Sequence, residues 1–348
     1  MNILSNSALE CEIIAGVVDL QYINDSIPGI YRKRRGKKFI YYYPDGHLVE
    51  EHAVLERIKS LAIPPAYRDV WISPFADGHL QATGRDSKNR KQYRYHPRWR
   101  KVRENNKFKT MLPFGEAICL IRNNIQQELD KPLKINKNQI ICAIIYLLDN
   151  HLIRIGNAVY EKQNNSYGVT TLRKKHLSVN SNKAVLKFKG KNSKAWHIVL
   201  KDKKIVRILK KCEEIPGYKL FKYRDENNAW NVISSQDVNS YLFDLTNYHF
   251  TAKDFRTWGA CRETFYRLTQ CDYIDEKTSG ESLKDIIASV ASLLGHTPAI
   301  CQKSYIYPEI ISHWKEKKIN AWIKKQSDSL IADKDKLLFH WLKSHIKD

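Results

Sequence analysis

The chain has 348 residues, 43% of them hydrophobic, enough to bury a sizeable core and more than one small domain needs. Lys and Arg number 59 against 37 Asp and Glu, a formal charge of +22, so the folded state repels itself unless a polyanion neutralises it. With no stretch near the ~18 uninterrupted apolar residues of a membrane span, no secretory signal in the opening MNILSNSALECEIIAGVVDL, and seven scattered cysteines never spaced C-x-x-C, the composition argues against a membrane span, a secreted disulfide framework and a zinc ribbon. A reduced, cytoplasmic protein (nucleoid-associated in a bacterium) that binds nucleic acid rather than membrane is expected.

Residues 1–100 read as a β-rich domain with one helix. The segment 30–43 is strand-like, rich in Ile, Phe and Tyr, and Pro44-Asp45-Gly46 closes it with turn chemistry. Val54, Ile58 and Leu61 stand at helical spacing before the stop at Pro64-Pro65. Val70, Trp71 and Ile72, then His79 to Thr83, form a second β section. The next run, GRDSKNRKQYRYHPRWRKVRENNKFK, holds eleven Lys or Arg and two acids, and the domain boundary is placed within it near residue 100. Aromatic Tyr93, Tyr95 and Trp99 alternate there with Arg90, Lys91, Arg94, Arg98 and Arg100. Such a run suits phosphate neutralisation by the basic groups and base or sugar contact by the aromatics and Gln92.

Residues 101–348 read as mainly helical, with helices over 108–129 and 136–152. Residues 167–200 break the rhythm: 169–172 and 184–189 read as strands, with Gly190-Lys191-Asn192 as a turn. Helices then resume over 203–212, 235–245, 251–268 and 281–294, and again from Pro308. Thr251 with Asp254 resembles a capping box, Gly295 is placed to end a helix, and Thr297-Pro298 to start the next. Together the two parts predict an α+β chain whose catalytic domain is mainly helical and carries a small three-stranded sheet.

Five residues in this second part stand out by context. Arg154 follows the end of a long apolar helix in LIRIGNAVY, and Lys191 sits in the turn of KFKGKNSK. Arg256 lies in KDFRTWGA, His296 just past the helix stop in LLGHTPAICQKSYIY, and Tyr305 nine residues later. Any one alone is ordinarily structural. In this order and in these contexts, together with GRDSKNRKQYRYH, they resemble the type IB DNA topoisomerases of poxviruses and bacteria, a likeness spanning residues 84–307.

The resemblance implies a transesterification: Tyr305 attacks a DNA phosphodiester, giving a 3′-phosphotyrosyl link and a free 5′-hydroxyl, and reversal reseals the strand without ATP. Arg154 and Arg256 would bind the non-bridging oxygens of the five-coordinate phosphorus, His296 would donate a further hydrogen bond, and Lys191 would protonate the leaving oxygen. Arg90, Gln92, Tyr93, Tyr95, Tyr160 and Lys253 match DNA-contacting positions. No metal, cofactor or nucleotide is implied, and a monomer clamped around duplex DNA would relax both signs of supercoil. Two departures from the viral pattern, Asn157 in place of a lysine and Asn192 in place of an aspartate, leave the viral sequence preference in doubt but not the cleavage chemistry. A tyrosine recombinase shares the residue order, yet Lys253 stands where its His-x-x-Arg has histidine, and the β-rich start differs from its helical one. An inactive DNA-binding relative would not need all five residues.

Overall fold

The computed structural model describes residues 12–13, 15–36, 38–87, 89–105 and 108–345, excepting the side chains of residues 104, 105, 159 and 160. Contacts within the chain divide it into two compact units, Met1–Lys109 and Thr110–Asp348.

The first unit contains β1 (Ile30–Arg35), β2 (Lys38–Tyr42), α1 (His52–Ser60), β3 (Arg68–Ile72), β4 (Leu80–Arg85), β5 (Lys91–Tyr95) and α2 (Pro97–Asn105). The strands form an antiparallel sheet in the order β2-β1-β3-β4-β5. Ile30, Val70, Ile72 and Ala82 of the sheet pack with Val49 and with Ile58 of α1. The strand-like run 30–43 is a hairpin rather than one strand, with Tyr31 opposite Tyr42 and Arg35 opposite Lys38. It reverses at Gly36, whose φ of +60° suits glycine in a run whose charged neighbours otherwise look continuous. Trp99 of α2 is buried with Ala15 and Leu20, and this unit runs to Lys109.

In the second unit, α3 (Met111–Asp130) and α4 (Lys137–His151) pair as the 3.6-residue periodicity predicts. Asn136 caps α4 by accepting from Gln139 N, and Leu152 ends it in the left-handed region at φ 51°. A short α5 (Ala158–Asn164) follows. Residues 169–172 do not form the expected strand: Val169–Thr171 is a 3₁₀ turn whose backbone N–H groups bond back to the Arg154 segment. A short β-branched run looks like a strand to periodicity, and only its partner decides otherwise. The three-stranded sheet is instead β6 (Leu177–Val179), β7 (Ala184–Lys189) and β8 (Ala195–Leu200), in that order.

Next come α6 (Lys203–Glu214), a hairpin of β9 (Lys222–Arg224) and β10 (Trp230–Val232) that the sequence reading passed over, and α7 (Ser235–Thr246). Then α8 (Ala252–Thr269) starts at a capping box in which Thr251 Oγ1 and the Asp254 carboxylate each accept from the other's backbone N–H or its neighbour's. The following α9 (Glu276–Leu294) begins five residues before the predicted start and ends at Gly295, φ +61°. After α10 (Pro298–Tyr305) the C-terminal segments are α11 (Pro308–Lys315), α12 (Lys318–Ile323), α13 (Asp328–Ala332) and α14 (Lys334–His345).

A half-buried ion network ties α8 to its neighbours. Arg122 of α3 bridges Asp149 of α4 at 2.7 Å and Asp335 of α14 at 2.9 Å. Trp258 Nε1 of α8 donates to Asp335 at 2.6 Å, and Arg262 lies 3.3 Å from the same carboxylate. Among the described residues, no helix is long and apolar enough to cross a membrane.

Candidate active site

The residues singled out in the second unit converge although up to 151 positions separate them in the chain (305 − 154). Lys191 sits in a turn, His296 and Tyr305 at helix ends, Arg154 in the segment after α4, and Arg256 within α8. Arg154 leaves the αL cap of α4 in an extended segment, where its carbonyl accepts from Val169 N at 2.9 Å and that of Ile155 from Thr170 N at 2.7 Å. This close pairing needs glycine at 168, because a Cβ there would stand 2.5 Å from the Arg154 carbonyl oxygen. Arg256 lies on the buried face of α8, 3% exposed. His296 follows the αL cap of α9, and Tyr305 closes α10, where its carbonyl accepts from the Cys261 thiol at 3.1 Å.

Arg154 Nη2 donates to His296 Nε2 at 2.7 Å, and the same Nε2 lies 3.2 Å from the Tyr305 hydroxyl. The Arg256 guanidinium lies 5.3 Å from the Tyr305 ring centroid. Its Nη2 donates to the Leu294 carbonyl at 2.9 Å and its Nη1 to the Leu152 carbonyl. One side chain therefore ties together the helix end before Arg154, the helix end before His296, and the tyrosine ring. Arg154, Lys191, Lys253, Arg256 and Tyr305 line a cleft of about 300 Å³ together with Asn157, Ser166, Tyr167 and Gly168. Four of these lining side chains are cationic and none is a carboxylate. Arg154 Nη1 and Arg256 Nε are buried with no hydrogen-bond partner among the described residues. Donors crowded together in this way suit a tetrahedral or trigonal oxyanion.

The crowding has electrostatic consequences. Burial and the neighbouring Arg256 pull Arg154 down to about 10. Burial lowers Arg256 as well, against the opposing pull of Tyr305. His296 falls to about 4, through burial first and then through Arg154, Arg256 and Lys191. At neutral pH the imidazole is therefore uncharged; with Nε2 accepting from Arg154, its proton sits on Nδ1. An NMR titration should find His296 changing charge near pH 4, and Arg154→Ala should raise that value. An unchanged midpoint in the variant would contradict the assigned cause. Between about 4 and the ordinary histidine value of 6.5 the unfolded chain holds the extra proton, so stability is lost as pH falls through that window.

Of the residues expected to contact a polyanion, Lys253 faces the cleft from the first turn of α8. Tyr160 lies in α5, with its side chain outside the described residues. The remaining four belong to the first unit. Tyr93 and Tyr95 share a face of β5, 48% and 36% exposed, their rings parallel within 11° at 6.1 Å. Arg90 and Gln92 are both held by Asp86, at 2.7 and 3.0 Å. Sequence reading missed Ser166, Tyr167 and Gly168 as cleft residues. Their one signal is the pair of glycines, 156 and 168, that the chain needs where two segments touch. Among the described residues, no group of three or more His, Cys, Asp and Glu is arranged to hold a metal ion.

A helical unit carrying this cationic cleft around a tyrosine has the make-up of a topoisomerase catalytic core. The family model of the eukaryotic DNA topoisomerase I catalytic core matches residues 96–332, and that of the bacterial DNA topoisomerase IB N-terminal domain matches residues 38–86. DNA topoisomerase 1B of Acanthamoeba polyphaga mimivirus is 33% identical over 290 residues, covering 80% of this chain and 85% of that protein. DNA topoisomerase 1B of vaccinia virus (strain Copenhagen) is 25% identical over 301 residues, covering 79% and 90%. DNA topoisomerase 1 of rabbit fibroma virus is 22% identical over 305 residues, covering 78% and 88%. The chain belongs to the type IB DNA topoisomerases.

Proposed function

We propose that this protein relaxes positive and negative supercoils by cutting one strand of duplex DNA with Tyr305, letting the free end rotate, and resealing it. The reading rests above all on one observation: the Tyr305 hydroxyl is hydrogen-bonded into a chain with His296 and Arg154, with Arg256 against its ring.

A scissile phosphate entering the cleft replaces the imidazole as acceptor for Arg154 and takes the unpaired donors of Arg154 and Arg256 on its non-bridging oxygens. The Tyr305 oxygen forms its bond to phosphorus as the bond to the 5′-oxygen breaks. The phenolic proton passes to water as the bond to phosphorus forms, and His296, uncharged and released from Arg154, carries its proton on Nε2 and donates a hydrogen bond to a non-bridging oxygen. Lys191 gives a proton to the 5′-oxygen, which is otherwise a strongly basic leaving group. Religation runs the same transfers backwards. A phenol suits both directions, because its ordinary pKa of ~10 makes it a tolerable leaving group. Bond energy is kept in the phosphotyrosyl link, so no nucleotide is consumed, and the four cationic side chains of the cleft supply the charge that a metal would otherwise bring. Lys253 contacts the backbone beside the scissile phosphate, and the Tyr93–Tyr95 face of the first unit, with its basic neighbours, contacts the duplex. The protein acts as a monomer, each unit supplying part of a clamp around DNA.

The test is a plasmid assay with EDTA present and ATP omitted. Both positively and negatively supercoiled plasmid should become relaxed, in ladders of topoisomers. Relaxation of neither, with salt-sensitive DNA binding intact, would point instead to a site-specific recombinase or an inactive relative.

A further inference from the structure

A general acid has to stand within about 2.6–3.2 Å of the oxygen it protonates, yet Lys191 occupies the exposed tip of a hairpin. Its neighbours Asn192 and Ser193 both have φ of 60°, and none of the three is buried. A flexible four-carbon side chain on such a turn needs something behind the turn to aim it. From the packing around that tip we infer that Trp196 is a positioning residue, holding the Lys191 turn against the His296 turn.

Trp196 lies on β8 directly opposite Phe188 of β7, and the two rings stack at 6.1 Å with planes 7° apart. The pyrrole edge of the indole lies against Gly190, the residue before Lys191: a Cβ there would stand 2.7 Å from Nε1. The benzo edge lies against Gly295, the residue before His296: a Cβ there would stand 2.8 Å from Cζ2. Gly190 N also donates to the Lys194 carbonyl at 2.8 Å, closing the turn over the indole, and the Lys194 stem packs within 3.3 Å of where a Gly295 Cβ would be. A rigid ring system thus fills the space between two glycines, each adjoining a residue assigned to the chemistry. Tyr305 attacks phosphorus from one apex and the leaving oxygen departs from the other. Fixing the Lys191 turn relative to the helix end that carries His296 fixes the acid's apex relative to the groups that hold the equatorial oxygens.

This inference rests on Lys191 being the general acid, and the experiment separates the two. Single-turnover cleavage by the full-length protein is measured on a duplex oligonucleotide at a position mapped with the wild type. One substrate carries the ordinary 5′-bridging oxygen and the other a 5′-bridging sulfur. A thiolate, with an ordinary pKa near ~8.5, departs without needing a proton. Trp196→Ala should slow cleavage of the oxygen substrate by about tenfold to a hundredfold, less than the ~10²–10⁴-fold that a general acid itself contributes, and leave the sulfur substrate within a few-fold of wild type. Trp196→Phe should recover part of the rate. The double variant with Lys191→Ala should be no slower than Lys191→Ala alone. Gly190→Ala, which pushes a methyl group into the indole without removing it, should show the same selectivity and covers the case in which Trp196→Ala folds poorly. Equal slowing of both substrates, or no slowing of either, would overturn the role of Trp196. If Lys191→Ala itself slowed both substrates equally, the general-acid assignment would fall first and the inference with it. A wild type that cleaves neither would remove the topoisomerase mechanism altogether.

Discussion

Tyr305→Phe is expected to leave no detectable relaxation and no covalent protein–DNA complex, while DNA binding keeps its affinity and its salt dependence. The substitution removes one oxygen and leaves the ring where it is, against His296 at 5.0 Å between centroids and against Arg256 at 5.3 Å. The lost hydrogen bond to His296 is half-buried, so stability should change by no more than about 1 kcal/mol. Tyr307, two residues on, is the obvious competitor and supplies the control. Burial and hydrogen bonding to Glu309 raise its hydroxyl well above the ordinary phenol value, and a carboxylate beside it repels phosphate. Tyr307→Phe should therefore still form the covalent complex, visible as a slow band on a denaturing gel with end-labelled DNA. Persistence of that band in Tyr305→Phe, or its loss only in Tyr307→Phe, would reassign the nucleophile.

The site is legible in the sequence only through the resemblance that the order and contexts of its five residues carry, since any one of them alone is ordinarily structural. Arg154 follows a helix that a continuous apolar face announces, His296 follows a glycine stop, and Tyr305 sits in a helix opened by Thr297-Pro298. Such helix starts and stops are written in single residues, and they place side chains at helix ends where a cleft can form. Residues 169–172 look like a strand in the sequence because a 3₁₀ turn and a strand share the same short β-branched composition. Only the bonds from Val169 and Thr170 to the Arg154 segment distinguish them. The hairpin in 30–43 hides behind a continuous basic run, RKRRGKK, in which Gly36 alone marks the turn. The bonds of Arg256 to Leu152 and Leu294, and the wedge of Trp196 between two glycines, have no sequence signature at all. They join positions up to 105 apart (295 − 190 for the two glycines), and their meaning depends on which surfaces meet.

Arg256→Lys is expected to be nearly as damaging to cleavage as the loss of a whole transition-state ligand, about 10²–10³-fold, because charge alone does not replace the fork. The guanidinium uses Nη1 and Nη2 on the two helix-end carbonyls, and its Nε has no partner among the described residues, a donor that the proposed mechanism turns on the phosphate. A lysine ammonium at the end of its stem cannot hold both carbonyls and still address two phosphate oxygens. At 1.4 kcal/mol per factor of ten, the predicted fall corresponds to about 3–4 kcal/mol of lost transition-state stabilisation. The stability change should be smaller than the carbonyl bonds alone suggest. A bare carbonyl costs about 1–3 kcal/mol when its buried donor is lost, but a buried lysine, unlike arginine, can shed its proton and so relieve the burial and the Arg154 repulsion that lower both arginines. The two effects oppose one another, so the variant's unfolding midpoint should move by only a few degrees while single-turnover cleavage falls by orders of magnitude. A lysine variant that cleaves at close to the wild-type rate would show that Arg256 serves the fold rather than the reaction. A midpoint that collapses together with activity would say the same by another route.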